Sequence, residues 1–187
     1  MDGQEALARL EAATQVAQRA VEGVGEGDWA APSTCEAWSV EEVVRHLVEG
    51  NERLAASLTA EDAASPDAQA GTWPERHRAS AAALVDAMRR PGALDQPVTV
   101  PAGTMPGHVV AGLRTVESLV HGWDIATSTG QRLEVPDDLV EHADRLTRQL
   151  LERVPPGRRP FKESTTPPPG AEPLDRLAAL LGRQVRV

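Results

Sequence analysis

Glu117 and His121 stand four residues apart in "ESLVHGWD" (117–124), inside an otherwise apolar run in which Val109, Val110, Leu113, Val116, Leu119 and Val120 come first and Trp123 and Ile125 follow. At 3.6 residues per turn, side chains at i and i+4 project side by side from one helical face. Two ionisable groups on an apolar face must either meet water or have a partner that offsets their burial. A third candidate, His46, lies in "EEVVRHLVEGN" among Val43, Val44, Leu47 and Val48. A histidine from a facing helix would complete a set of two imidazoles and one carboxylate with an open position. That donor set suits a catalytic divalent metal, zinc foremost, with iron and nickel as alternatives. Taken alone, the residues also fit a solvated helix face or an internal ion pair for Glu117 and His121, and a satisfied half-buried histidine for His46.

The other reactive side chains have plainer readings. Asp124, one turn beyond His121, could accept from an imidazole and orient it, or could be a surface acid. His77 in "PERHRAS" and His142 in "VEHADR" read as surface residues, and His108 falls on a different side of its helix from His121. Gly50, one turn after His46, removes a side chain near the candidate site or lets two helices approach. Cys35 reads as a small packed residue in the loop leading to Trp38; as a nucleophile it would need a base that no spacing supplies. The "HLVE" pair (46–49) lacks the further E-x-x-H partners of a di-iron bundle. No nucleophile elbow, Walker A loop or dinucleotide fingerprint is present.

The elements that must hold these residues are helical. Six helices are expected, over about 4–24, 39–59, 74–90, 106–129, 134–154 and 174–182. The second opens on a capping box, Ser39 with Glu42, and a hydrophobic staple of Trp38 on Val43. "QPVTVPAG" (96–103) is β-like, but its prolines favour a linker. "AEDAASPDAQAG" reads as a polar loop. The fold class is therefore all-α: an antiparallel four-helix bundle over 1–133 with a C-terminal helical extension over 134–187, which contains a Pro-rich link at 155–173.

Composition narrows the function classes. The 187 residues carry a formal net charge of −9 and a pI near 5.0, which speaks against binding nucleic acid or an anionic membrane surface. One cysteine excludes an intramolecular disulfide and a Cys-rich zinc site. The amphipathic, charged N-terminus is unlike a secretory signal, and no run approaches a membrane span, so a cytoplasmic protein is expected.

Three blocks resemble a known family. "APSTCEAWSVEEVVRHLVEGN" (31–51), "VESLVHGWDIATSTGQ" (116–131) and "PLDRLAALLGR" (173–183) are similar, in order and spacing, to the mycothiol-dependent maleylpyruvate isomerase N-terminal family of the DinB/YfiT-like superfamily, in a short actinobacterial branch. The resemblance implies an up-down-down-up bundle with a divalent metal held by His46, Glu117 and His121. It also implies mycothiol as a thiol cosubstrate that attacks a small electrophile, in a transfer or an isomerisation. Two departures stand out: Ala37 replaces the glycine usual before the Trp, and the family's isomerase has a C-terminal α/β domain where this chain has only 134–187. A non-catalytic metal- or small-molecule-binding bundle and a metal-assisted hydrolase are the competing readings. A homodimer paired through helix faces is a further expectation.

Overall fold

The computed structural model describes residues 2–35, 37–59, 71–100, 103–154 and 161–185. Helix α1 (Gly3–Glu22) starts where the Asp2 carboxylate accepts from the Gln4 amide at 3.2 Å, satisfying one of the amides that a helix start leaves unpaired. Helix α2 (Val40–Thr59) carries the expected capping box: the Ser39 amide donates to Glu42 at 2.7 Å and the Glu42 amide to the Ser39 hydroxyl at 3.3 Å. Trp38 and Val43 belong to one apolar cluster with Val40, Val44 and Leu47. Helix α3 (Trp73–Arg89) opens with the same device, the Thr72 amide donating to Glu75 at 2.8 Å.

The segment expected to be a linker is a hairpin. Strands β1 (Pro97–Val100) and β2 (Gly103–Pro106) pair antiparallel, Val98 opposite Met105 and Thr99 opposite Thr104. Pro97 does not break it because it stands at the open end, opposite Pro106, where a missing N–H costs little; Pro101, the segment's other proline, lies outside the described residues. Helix α4 (Gly107–Ser128) follows directly, so Pro106 precedes the helix and does not sit in its first turn. Helices α5 (Asp137–Arg153) and α6 (Pro173–Leu180) complete the chain. The polar loop at 60–70 and the first part of the Pro-rich link, 155–160, lie outside the described residues.

Helix α1 packs on α3 and α4, and α2 packs on the same two. This four-helix bundle sets α1 across from α2. Helix α4 is also covered by α5 and α6, which explains why it is apolar nearly all round: a helix with neighbours on every side has no solvent face to keep polar. Its length from Val110 to Ala126 is almost wholly buried. The ionisable residues within it are therefore held by tertiary neighbours.

Candidate metal centre

His46 from α2 and Glu117 and His121 from α4 meet at one point. The Nε2 atoms of His46 and His121 lie 3.1 and 3.5 Å from the same oxygen, Oε2 of Glu117, and one donor atom from each residue falls within 4.8 Å of the others. The rings approach edge to face with centroids 4.9 Å apart, and Trp38 closes over both, 4.9 Å from His46 and 6.0 Å from His121.

His121 is aimed by a network on its other nitrogen. Its Nδ1 lies 3.0 Å from Oδ2 of Asp124, a carboxylate that is 0% exposed. Arg183 grips the same carboxylate twice, Nη2 to Oδ2 at 2.8 Å and Nε to Oδ1 at 3.2 Å, and the Thr34 hydroxyl donates to Oδ1 at 2.7 Å. With two partners on each oxygen, Asp124 stays ionised and accepts a hydrogen bond from the Nδ1–H of His121. The ring's Nε2 then points at Glu117, donating to it as an imidazolium and free to offer its lone pair to a cation once that proton leaves. Burial opposes charge on all these groups, yet the hydrogen bonds prevail. His121 is raised above its ordinary pKa by Asp124 and Glu117, and Asp124 is lowered by His121 and Arg183. Glu117 falls well below the carboxylate range through His121 and His46.

Behind Glu117 sits Arg114, buried and pulled down to about 10 by desolvation, still a cation at neutral pH. It donates to the Leu47 carbonyl and, at 2.8 Å, to Oδ1 of Asn51, with Nη1 3.9 Å from Glu117. Gly50 makes room for it: a β-carbon there would lie 2.6 Å from Nη1 of Arg114.

Two imidazole nitrogens and a carboxylate oxygen converging without an intervening side chain fit a divalent cation. Cys35, His121 and Asp124 also cluster within 4.8 Å, but Asp124 has spent its acceptor positions on Arg183, Thr34 and His121, and burial pushes the Cys35 thiol up. Two cavities flank the converging trio. One, about 450 Å³, is walled mainly by aliphatic side chains; the other, about 370 Å³, is lined by Thr34, Cys35, Trp38, Lys162 and Arg183. His46, Glu117 and Phe161 line both.

The remaining histidines are elsewhere. His108 bonds the Leu94 carbonyl through Nδ1 at 3.0 Å. His77 is not a surface residue: it is 1% exposed, with Nδ1 2.6 Å from Oε1 of Gln18, because α3 turns this side of its first turns onto α1. His142 is half-buried as well, and its Nε2 has no partner among the described residues. Arg183, Thr34 and Arg114 were not singled out by the sequence. Arg183 is 59 positions from Asp124, and no local spacing reveals such a pairing. Its one local signal is Gly182, which has φ +84° and where a β-carbon would lie 2.6 Å from that of Lys162. Ala37, in the usual glycine position, also holds a left-handed φ of 77°.

The model of the mycothiol maleylpyruvate isomerase N-terminal domain family matches residues 10–126. An uncharacterized protein of Mycobacterium tuberculosis, in strains CDC 1551 and H37Rv, is 34% identical over 83% of this chain and 85% of its own length. Two crystal structures of the mycothiol-dependent maleylpyruvate isomerase share the fold, with TM-scores of 0.61 and, for a histidine-to-alanine mutant, 0.63. They are 20% and 19% identical and align over 79% of this chain and 68% of theirs. The chain belongs to the mycothiol maleylpyruvate isomerase N-terminal domain family.

Proposed function

We propose that this family member is a divalent-metal-dependent enzyme that activates a low-molecular-weight thiol, mycothiol or a close analogue, toward a small electrophile, with transfer or isomerisation as the outcome. The observation that carries the reading is the convergence of His46 Nε2, His121 Nε2 and Glu117 Oε2 between two cavities, one almost wholly apolar and one with hydroxyl and cationic groups in its lining. The family and the structural relatives support the thiol; the donor set supports the metal, with zinc the first choice.

His46, Glu117 and His121 would hold the ion. When bound, it supplies Lewis acidity that favours thiolate over thiol near neutral pH. The chain's own groups do the rest. Asp124 and Arg183 fix the tautomer and tilt of His121. Trp38 covers the two imidazoles and limits water. The polar cavity, with Thr34, Lys162 and Arg183 in its lining, suits a hydrophilic thiol, and the apolar cavity receives the electrophile from the other side. Reaction then requires only that sulfur and carbon meet beside Glu117, so positioning contributes most of what the fold can offer. The bundle over 1–133 would carry the donors, while the extension over 134–187 supplies Arg183 and part of both cavity walls.

Elemental analysis of purified protein, coupled to mycothiol consumption across a panel of electrophiles, tests this reading. About one equivalent of metal per chain with thiol consumed is the expected result. Less than about a tenth of an equivalent from metal-replete growth, or no thiol consumed with any electrophile, overturns it in favour of a binding role.

A further inference from the structure

The larger cavity differs from what a small dicarboxylate would need. Its wall includes Leu54, Val110, Leu113, Val116, Leu150 and Phe161, and His46 and Glu117 lie at its edge. Two cations also line it, Arg114 buried and held by its partners and Arg53 largely exposed to solvent. Arg53 pairs with Glu49 at 3.3 Å, and Arg114 is bound to Leu47, Asn51 and the neighbourhood of Glu117. A dianion entering here would lose its hydration to a hydrocarbon wall. One polar group stands unused. Thr147 is 2% exposed, lines the cavity, and its hydroxyl has no hydrogen-bond partner among the described residues. A helical threonine ordinarily bonds the carbonyl one turn back; this one does not, and a buried hydroxyl left unmatched costs about 1–3 kcal/mol unless a ligand pairs with it.

We propose that the electrophile of this enzyme is a largely apolar molecule bearing one uncharged oxygen, of the class of enals and enones with a hydrocarbon body. The hydrocarbon fills the aliphatic cavity, the oxygen pairs with the Thr147 hydroxyl, and the alkene is presented at the His46–Glu117 edge to a thiol arriving from the polar cavity. In the addition, a sulfur lone pair forms the C–S bond and the alkene π pair shifts toward the carbonyl oxygen. The proton lost by the thiol ends on the α-carbon, so nothing is oxidised or reduced. The inference rests on the thiol-dependent reading above and adds the substrate class.

Two measurements separate the inference from that reading. The neutral fluorophore N-phenylnaphthylamine, titrated into metal-free protein, should bind once per chain and be displaced by long alkenals, with Leu113→Trp weakening it at least about tenfold by filling the cavity. With the metal-loaded protein and mycothiol, kcat/KM along an alkenal series should rise about fourfold per added methylene until the cavity is full. Maleate should be a poor substrate, and Thr147→Val should lower kcat/KM for the enals roughly two- to tenfold. A flat chain-length series, a preference for maleate, or fluorophore binding indifferent to Leu113→Trp overturns the apolar assignment. An unchanged kcat/KM in Thr147→Val overturns the role of its hydroxyl. Apolar binding without thiol consumption defeats the proposed function and leaves the cavity assignment standing; thiol consumption with maleate alone does the reverse.

Discussion

His121 and His77 are the same side chain at nearly the same burial, 4% and 1% exposed, with opposite protonation preferences. Among the described residues the His77 ring bonds the amide oxygen of Gln18, and burial, with Arg114 nearby, drops its pKa to about 4. His121 meets two carboxylates, and these lift it above its ordinary value against the same desolvation. Burial alone therefore does not make a reactive histidine. What distinguishes the two is whether the chain spends further residues on the ring's partners: Asp124, Arg183 and Thr34 for His121, and Gln18 for His77. A neutral histidine bonded to an amide is a packing residue. One aimed by a carboxylate that is itself clamped by an arginine is held ready for a cation.

Exchanging each ring for an amide should separate the pair most sharply. His121→Gln is expected to drop bound zinc from about one equivalent to below about a tenth and to abolish thiol consumption, while His77→Gln keeps both. Equal metal loss in the two variants would erase the contrast. Removing the clamp comes next. Arg183→Ala leaves the fully buried Asp124 carboxylate without its cation and should destabilise the fold by roughly 4 kcal/mol in urea unfolding. Zinc affinity should fall about tenfold to a hundredfold, whereas the His77 environment should be unaffected.

The acid limb of stability tests the other histidine. His77 has a folded pKa depressed from 6.5 to about 4, so the unfolded chain binds a proton that the native chain refuses. Stability is full above pH 6.5 and declines as pH falls through the window to about 4, by about 3 kcal/mol. Urea midpoints of His77→Gln should be flatter over that window than those of the parent; parallel profiles would contradict the assignment. The smallest effect belongs to Ala37, whose φ of 77° is costly for any residue with a β-carbon. Ala37→Gly should stabilise by about 1 kcal/mol, read by thermal unfolding, and leave both histidines as they are.

Much of this was legible in the sequence because it is local. The Ser39–Glu42 cap, the all-round apolar character of α4 and the i, i+4 spacing of Glu117 and His121 are patterns within one helix, and each reappears in the fold. The hairpin was not legible, because a proline such as Pro97 counts against a strand unless its place at the open end is known. The burial of His77 was missed for a related reason: "PERHRAS" is polar in sequence, and only the packing of α3 on α1 buries the ring. Arg183 lies furthest from local reading, since it follows the end of α6 while its partner Asp124 is on α4, and the connection depends on how the last segment folds back. The departure at Ala37 looked minor as a single methyl group, and the left-handed backbone gives it its weight.

The turn at Gly182 has a genetic consequence. Its positive φ and the 2.6 Å approach of a β-carbon to Lys162 leave no space for a side chain, so every missense change in its codon disturbs the turn that delivers Arg183. Such an allele would be scored as a loss of catalysis, although the altered position supplies no donor atom. A suppressor screen starting from it should return changes near Lys162 and Glu163 before any at the histidines.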